Sequence, residues 1–150
     1  MTRMASDIDA QTAPGREGAQ LSLLIADRDA VFRELVRRSL GRGVVVVGDA
    51  GDGNEVVLMA RRLRPDVVLM HVAMPTIDGP EAARLIKADR AETKVVLLTS
   101  GPEPRALLHA DALLSREKVR AGMLADRRRI AERRRSGEGP RGPRRRRGHP

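Results

Sequence analysis

Residues 65–79 read Pro-Asp-Val-Val-Leu-Met-His-Val-Ala-Met-Pro-Thr-Ile-Asp-Gly, and the fold turns on this stretch. Four apolar residues follow Asp66 before His71, and the run then gives way to Met74-Pro75 and Asp78-Gly79. A short apolar run bounded by proline and turn residues, rich in β-branched side chains, suits a parallel strand covered on both faces. In open α/β sheets the ligand site lies just beyond the carboxyl ends of such strands. Here the residue at that end is His71.

Working outward, residues 21–26 form a second apolar run, closed by Asp27-Arg28-Asp29. Phe32, Leu35, Val36 and Leu40 then recur at helical spacing until Gly41 and Gly43 stop them, and Asp29 stands where a helix cap belongs. Residues 44–47 are four consecutive valines, a further buried strand. Gly51-Asp52-Gly53-Asn54 is a turn into a helix with Val56, Met59, Ala60 and Leu63 on one face. After the central strand, residues 80–89 form a helix with Ala82, Leu85 and Ile86 inward, and residues 94–98 a fourth strand ending at Thr99-Ser100.

The pattern thins beyond Ser100. Gly101-Pro102-Glu103-Pro104 leaves room for only a short helix through Leu108, residues 112–114 make a fifth strand, and residues 117–135 a last helix with a narrow stripe of Val119, Met123 and Ile130. Strands alternating with helices across short connections predict an α/β fold. It is a doubly wound, five-stranded parallel sheet with helices on both faces, because parallel strands need crossovers.

Composition narrows the function classes. A chain of 150 residues accommodates one domain of about 100 to 150 residues plus tails. The expected division is an arm without periodic structure at 1–20, a folded domain at 21–135, and a disordered Arg/Gly/Pro tail at 136–150. The absence of Cys excludes disulfides, thiolate metal sites and a Cys nucleophile. No apolar run reaches the ~18 residues of a membrane span, and the polar N-terminus lacks a signal-peptide core, so the expected location is the cytoplasm, away from membranes. Residues 1–115 carry 15 Lys/Arg against 16 Asp/Glu, whereas residues 116–150 carry 14 against 4. The basic character therefore belongs to the C-terminal end and not to the domain.

Taken together, these segments resemble the receiver domain of bacterial two-component response regulators. The resemblance rests on Leu-Leu-Ile-Ala-Asp at the first strand, Gly-Asp-Ala-Gly-Asp-Gly-Asn-Glu after the second, Arg-Pro-Asp-Val-Val-Leu-Met and Met-Pro-Thr-Ile-Asp-Gly around the third, and Lys-Val-Val-Leu-Leu-Thr at the fourth. It implies the flavodoxin-like strand order 2-1-3-4-5 and a signalling module, not an enzyme. In that family the third strand ends in an Asp that accepts a phosphoryl group from a histidine kinase. Two adjacent acids after the first strand help to hold Mg²⁺, a Thr or Ser ends the fourth strand, and a Lys ends the fifth. The resemblance puts these roles at His71, at Asp27 with Arg28, at Thr99 and at Arg116, so three of the five positions depart.

The departures carry chemical weight. Mg²⁺ is a hard cation that wants near-octahedral oxygen ligands, and imidazole serves it poorly. Arg28 places a fixed positive charge where a carboxylate belongs. The expectation is that the family's Mg²⁺ site is lost, leaving no cofactor and an atypical receiver that signals by protein contact. Imidazole is a competent nucleophile, but a phosphoryl transfer to His71 would rest on Arg28 and Arg116 alone. The preferred reading is a polar strand-end residue in a site that no longer reacts. Asp27 and Arg28 have a plainer alternative as a local solvent-exposed pair, and Thr99 as a hydroxyl capping its strand. The aromatic that the family couples to the fourth-strand hydroxyl is replaced by Leu113.

Two partner surfaces follow. The face made by the last helix and the ends of strands four and five is where the family pairs with a second copy or a signalling partner. The basic end offers Arg127, Arg128, Arg129, Arg133, Arg134, Arg135, Arg144, Arg145, Arg146 and Arg147 as phosphate contacts. Without interleaved aromatics or a helix-turn-helix, nucleic-acid binding there would be non-specific.

Overall fold

Residues 19–102 and 108–137 are described by the structure, a computed structural model. The elements are β1 (Leu21–Ala26), α1 (Ala30–Ser39), β2 (Val44–Ala50), α2 (Gly53–Leu63), β3 (Val67–His71), α3 (Gly79–Asp89), β4 (Lys94–Thr99), β5 (Ala112–Ser115) and α4 (Arg116–Arg135). The five strands form one sheet in the order β2-β1-β3-β4-β5, every pair parallel. The doubly wound architecture and its strand order are those the sequence predicts.

Alternation along β1 shows how the two layers are served. Leu24 and Ala26 point into one core with Val56, Val57 and Ala60 of α2 and Ala82, Ala83 and Ile86 of α3. Leu23 and Ile25 point to the opposite face, with Phe32 and Val36 of α1 and the partly buried Val119 and Met123 of α4. Successive strand side chains face opposite ways, so a strand with helices on both sides must be apolar throughout. Each helix is also signalled locally. Asp29 accepts from the backbone N–H groups of Val31 and Phe32, and Asp52, Asp78 and Ser115 cap α2, α3 and α4 in the same manner.

The register of β1 against β3 is held at the end remote from the site. The Asp66 carboxylate accepts from the backbone N–H and the hydroxyl of Ser22 at 2.8 and 3.0 Å, and the Ser22 hydroxyl accepts from the Asp66 N–H at 2.8 Å. That closed set fixes which residues emerge together at the carboxyl ends.

Several element boundaries differ from the sequence reading. Strand β2 runs on to Ala50, because Gly48, Asp49 and Ala50 pair with Leu24, Ile25 and Ala26 beyond a bulge at Val47. A polar Asp49 is tolerated there since β2 is an edge strand, and its carboxylate meets Arg33 at 3.6 Å. The last helix starts one residue early, at Arg116. The short helix read between Ser100 and Leu108 falls mostly on residues 103–107, outside the described set, as do residues 1–18 of the expected N-terminal arm and residues 138–150 of the expected tail.

The loop after β3 is clamped by two glycines. Gly53 donates its N–H to the Pro75 carbonyl at 3.0 Å, and a Cβ on Gly53 would lie 1.8 Å from the Ile77 carbonyl oxygen. A Cβ on Gly79 would lie 2.6 Å from the His71 carbonyl oxygen. Both close approaches involve backbone, which cannot swing aside. Gly53→Ala is therefore expected to destabilise the protein by about 2 kcal/mol or more through overpacking. Gly41→Ala, with nothing within 4 Å of the new Cβ, should stay within about 0.5 kcal/mol. Urea denaturation followed by circular dichroism measures both, and equal midpoints for the two variants would refute the clamp.

Candidate functional site

The carboxyl ends of β1, β3, β4 and β5 converge because all four strands run in the same direction. Ala26 pairs with Met70, His71 with Leu98, and Thr99 with Ser115, so the residues just past these positions share one rim of the sheet. The structure thus brings Asp27, His71, Thr99 and Arg116 together.

Asp27 is fully buried, with 0% of its surface exposed. The plainer reading of Asp27 with Arg28 as a local solvent-exposed pair is therefore incorrect. Its carboxylate accepts from Arg116 Nε at 2.8 Å and Nη2 at 3.1 Å, and from the Asp29 backbone N–H at 2.9 Å. A carboxylate removed from water needs a cation and hydrogen bonds to remain charged, and the planar guanidinium fork supplies both. The same guanidinium lies 3.5 Å from Asp29 Oδ2 and 4.2 Å above the Phe32 ring centroid. Arg116 thus closes a small network of two carboxylates and one aromatic face. Its hydrogen bond to Asp27 raises its pKa above the ordinary arginine value. Burial pushes Asp29 upward, but the Phe32 and Val31 N–H groups and then Arg116 outweigh it and hold it below its ordinary 3.8. Arg33 completes the support by donating to the Asp27 carbonyl.

His71 sits half-buried beside this pair. Its Nε2 is 3.2 Å from Ser100 Oγ, while Nδ1 is buried with no partner among the described residues. An unpaired lone pair costs less than an unpaired N–H in such a place, so we assign the proton to Nε2, donating to Ser100. Burial pushes the imidazole below its ordinary 6.5. Asp27 acts in the opposite sense, and Arg116 and Arg28 reinforce the burial. Arg28 itself is exposed at the rim. The Thr99 hydroxyl is turned onto its own loop, donating to the Gly101 carbonyl and accepting from the Gly101 N–H at 3.1 Å. Leu113, paired with Leu97, packs on the α2 and α3 side of the sheet.

The tail candidates lie elsewhere. Arg127, Arg128, Arg129, Arg133, Arg134 and Arg135 are on the exposed far turns of α4, and Arg144 to Arg147 fall outside the described residues. Sequence reasoning missed Asp29, Phe32, Arg33 and Ser100 as members of the site. In the sequence Asp29 and Phe32 each have a sufficient local task, cap and core. Ser100 directly follows the strand-end hydroxyl, which was its only signal.

Comparison with known proteins agrees with this fold. A model of the response regulator receiver domain matches residues 23–112. The chain belongs to that family. The response regulator GacA of Pseudomonas aeruginosa is 38% identical over 97 residues, covering 61% of this chain and 45% of its own length. The response regulator UvrY of Escherichia coli is 36% identical over 97 residues, with 61% and 44% covered. The chain thus spans less than half the length of these curated relatives. Among solved structures, the receiver domain of the putative response regulator NarL from Mycobacterium tuberculosis superposes with a TM-score of 0.64. It is 28% identical, and the match covers 75% of this chain and 97% of that one.

Two outcomes follow from the site. Arg116→Met keeps the packing over Phe32 but leaves the Asp27 carboxylate buried and unpaired, and is expected to cost about 3 kcal/mol in urea denaturation. Adding Asp27→Leu should restore most of it, and additive losses would contradict the pairing. For His71, the folded pKa is lowered, so the unfolded chain binds the proton more readily. Its contribution is complete above pH 6.5 and is lost as the pH falls from there toward the lowered folded value. His71→Leu should flatten the stability profile between about pH 7.5 and 5.5, above the range in which carboxylates titrate. A profile unchanged by the substitution would refute the assignment.

Proposed function

We infer that this receiver domain works without a phosphoryl cycle and transmits its signal by contact with a protein partner. The observation that carries the reading is the engagement of Asp27. Both oxygens of the carboxylate that the family would offer to Mg²⁺ are taken by Arg116 and the Asp29 N–H. Arg28 and His71 supply no carboxylate in its place. The residues present do not fit a hard cation, which needs several oxygen ligands with negative charge. Phosphoryl transfer depends on such a cation to neutralise the moving group.

Other features agree. The Thr99 hydroxyl is committed to the Gly101 backbone, and the strand-five position that would answer its movement is Leu113, which has no hydroxyl or ring to reorient. A fixed internal ion pair in place of an exchangeable metal and phosphoryl group would hold the domain in one state. The contact surface proposed for its partner, a signalling protein or a second copy, is the face formed by α4 and the ends of β4 and β5.

The test is a titration with acetyl phosphate and Mg²⁺, read by intact mass and by hydrogen exchange, since the chain has no Trp or Tyr. The expected result is no phosphoryl adduct and no Mg²⁺-dependent protection. An adduct that disappears in His71→Ala would overturn the proposal. Restoring the pocket should require three changes, His71→Asp and Arg28→Asp to supply carboxylates and Arg116→Lys to release Asp27. The triple variant is expected to bind Mg²⁺ and to accept the phosphoryl group of acetyl phosphate on the new carboxylate at position 71, with acetate leaving, and the double variant that keeps Arg116 much less.

A further inference from the structure

The far half of α4 extends beyond the core. Val119 and Met123 are its last residues against the core, and every position from Leu124 to Gly137 is exposed. Within this segment residues 127–135 carry six arginines and one acid, Glu132, with Asp126 just before them. Among the described residues, the ion pair this cluster makes is the marginal one between Arg129 and Asp126, at 3.9 Å with both side chains about three-quarters exposed.

Helix electrostatics explains only part of this. Cations in the last turn favour the helix dipole, which accounts for Arg133, Arg134 and Arg135. Arg127, Arg128 and Arg129 lie two turns earlier, where that effect has decayed. Arg129 and Arg133 are four residues apart, a like-charge spacing that opposes the helix. Packing does not require the cluster, and a polyanion would relieve its self-repulsion.

We propose that the exposed half of α4 is a docking arm for double-stranded DNA, bound through its phosphates without base recognition. Nine helical residues rise ~13 Å, a length over which a duplex presents about eight phosphates. The six arginines are spread around the helix, so whichever side faces the duplex, several reach the strands. A single-stranded partner is disfavoured because stacking needs aromatics, and the chain's one Phe lies buried beneath Arg116. An anionic membrane is disfavoured because an interfacial helix needs an apolar face, and Ile130 is the one large apolar residue between 125 and 137. This assignment is independent of whether His71 or Asp27 takes part in phosphoryl chemistry.

The test uses the full chain and two unrelated duplexes of equal length, with affinity followed by fluorescence anisotropy across a salt series. Both duplexes should bind equally. Arg127→Ala, Arg128→Ala and Arg129→Ala together, and separately Arg133→Ala, Arg134→Ala and Arg135→Ala, should each weaken binding about tenfold or more. Each triple should also reduce the magnitude of the log-log salt slope, by about 0.9 for each of its arginines on the side that faces the duplex. Alanine favours the helix, so unchanged circular dichroism and urea midpoint are expected, and the matching Arg→Lys triples should restore the slope. The same proteins are tested on phosphatidylcholine vesicles containing about one third phosphatidylserine. Affinity and slope unchanged in both alanine triples would overturn the proposal, as would arginine-dependent binding to the vesicles in preference to the duplexes.

Discussion

A buried carboxylate must have a cation, and in this protein that requirement joins the first strand to the last helix. Asp27 leaves β1 fully enclosed, and the guanidinium that neutralises it arrives from Arg116, the first residue of α4. The pair is separated by 89 positions in the chain. It links the end of a central strand to the sheet edge, and it draws Asp29 and Phe32 into the same contact. Removing the Arg116 charge alone would leave the Asp27 carboxylate stranded in a medium that solvates it poorly. Among the described residues the near half of α4 sets Val119 and Met123 against the core, and this ion pair adds a polar anchor at the start of the helix.

The same interaction bears on signalling. A receiver cycle needs a site whose charge can change, with a metal and a phosphoryl group entering and leaving among carboxylates. Here the cation is covalently part of the chain. Arginine keeps its charge at any physiological pH and grips a carboxylate with two parallel hydrogen bonds. His71, whose pKa burial lowers against the pull of Asp27 and with the help of Arg116 and Arg28, adds no negative charge to attract a metal. The proposed loss of the phosphoryl cycle follows from this charge arrangement more than from the missing acceptor alone.

Several parts of the structure were legible from sequence because they rest on local rules. Apolar runs of strand length, helical spacing of Phe32, Leu35 and Val36, and the Asp caps at positions 29, 52 and 78 express short-range sterics and hydrogen bonding. The strand order came through the family resemblance of motifs around Asp27, Asp66 and Thr99. Boundaries were less legible. Strand β2 extends through Gly48 and Asp49 because β1 offers them partners across a bulge, information that no window on 44–50 contains.

By itself the sequence determined the α/β class and the confinement of positive charge to the C-terminal end, since each follows from residue type and spacing, while the family resemblance placed Asp27, His71, Thr99 and Arg116 on one rim. Only the tertiary structure decided how those rim residues are connected. Asp27 beside Arg28 in sequence reads as an exposed pair, yet parallel strands turn adjacent residues to different environments and bury Asp27 against Arg116. Likewise the arginines of α4 read as one basic run, and only the packing of Val119 and Met123 shows where the helix ceases to belong to the core. Burial and long-range pairing are properties of the assembled sheet, which is why residues 65–79 could announce the site while Arg116 determined its chemical character.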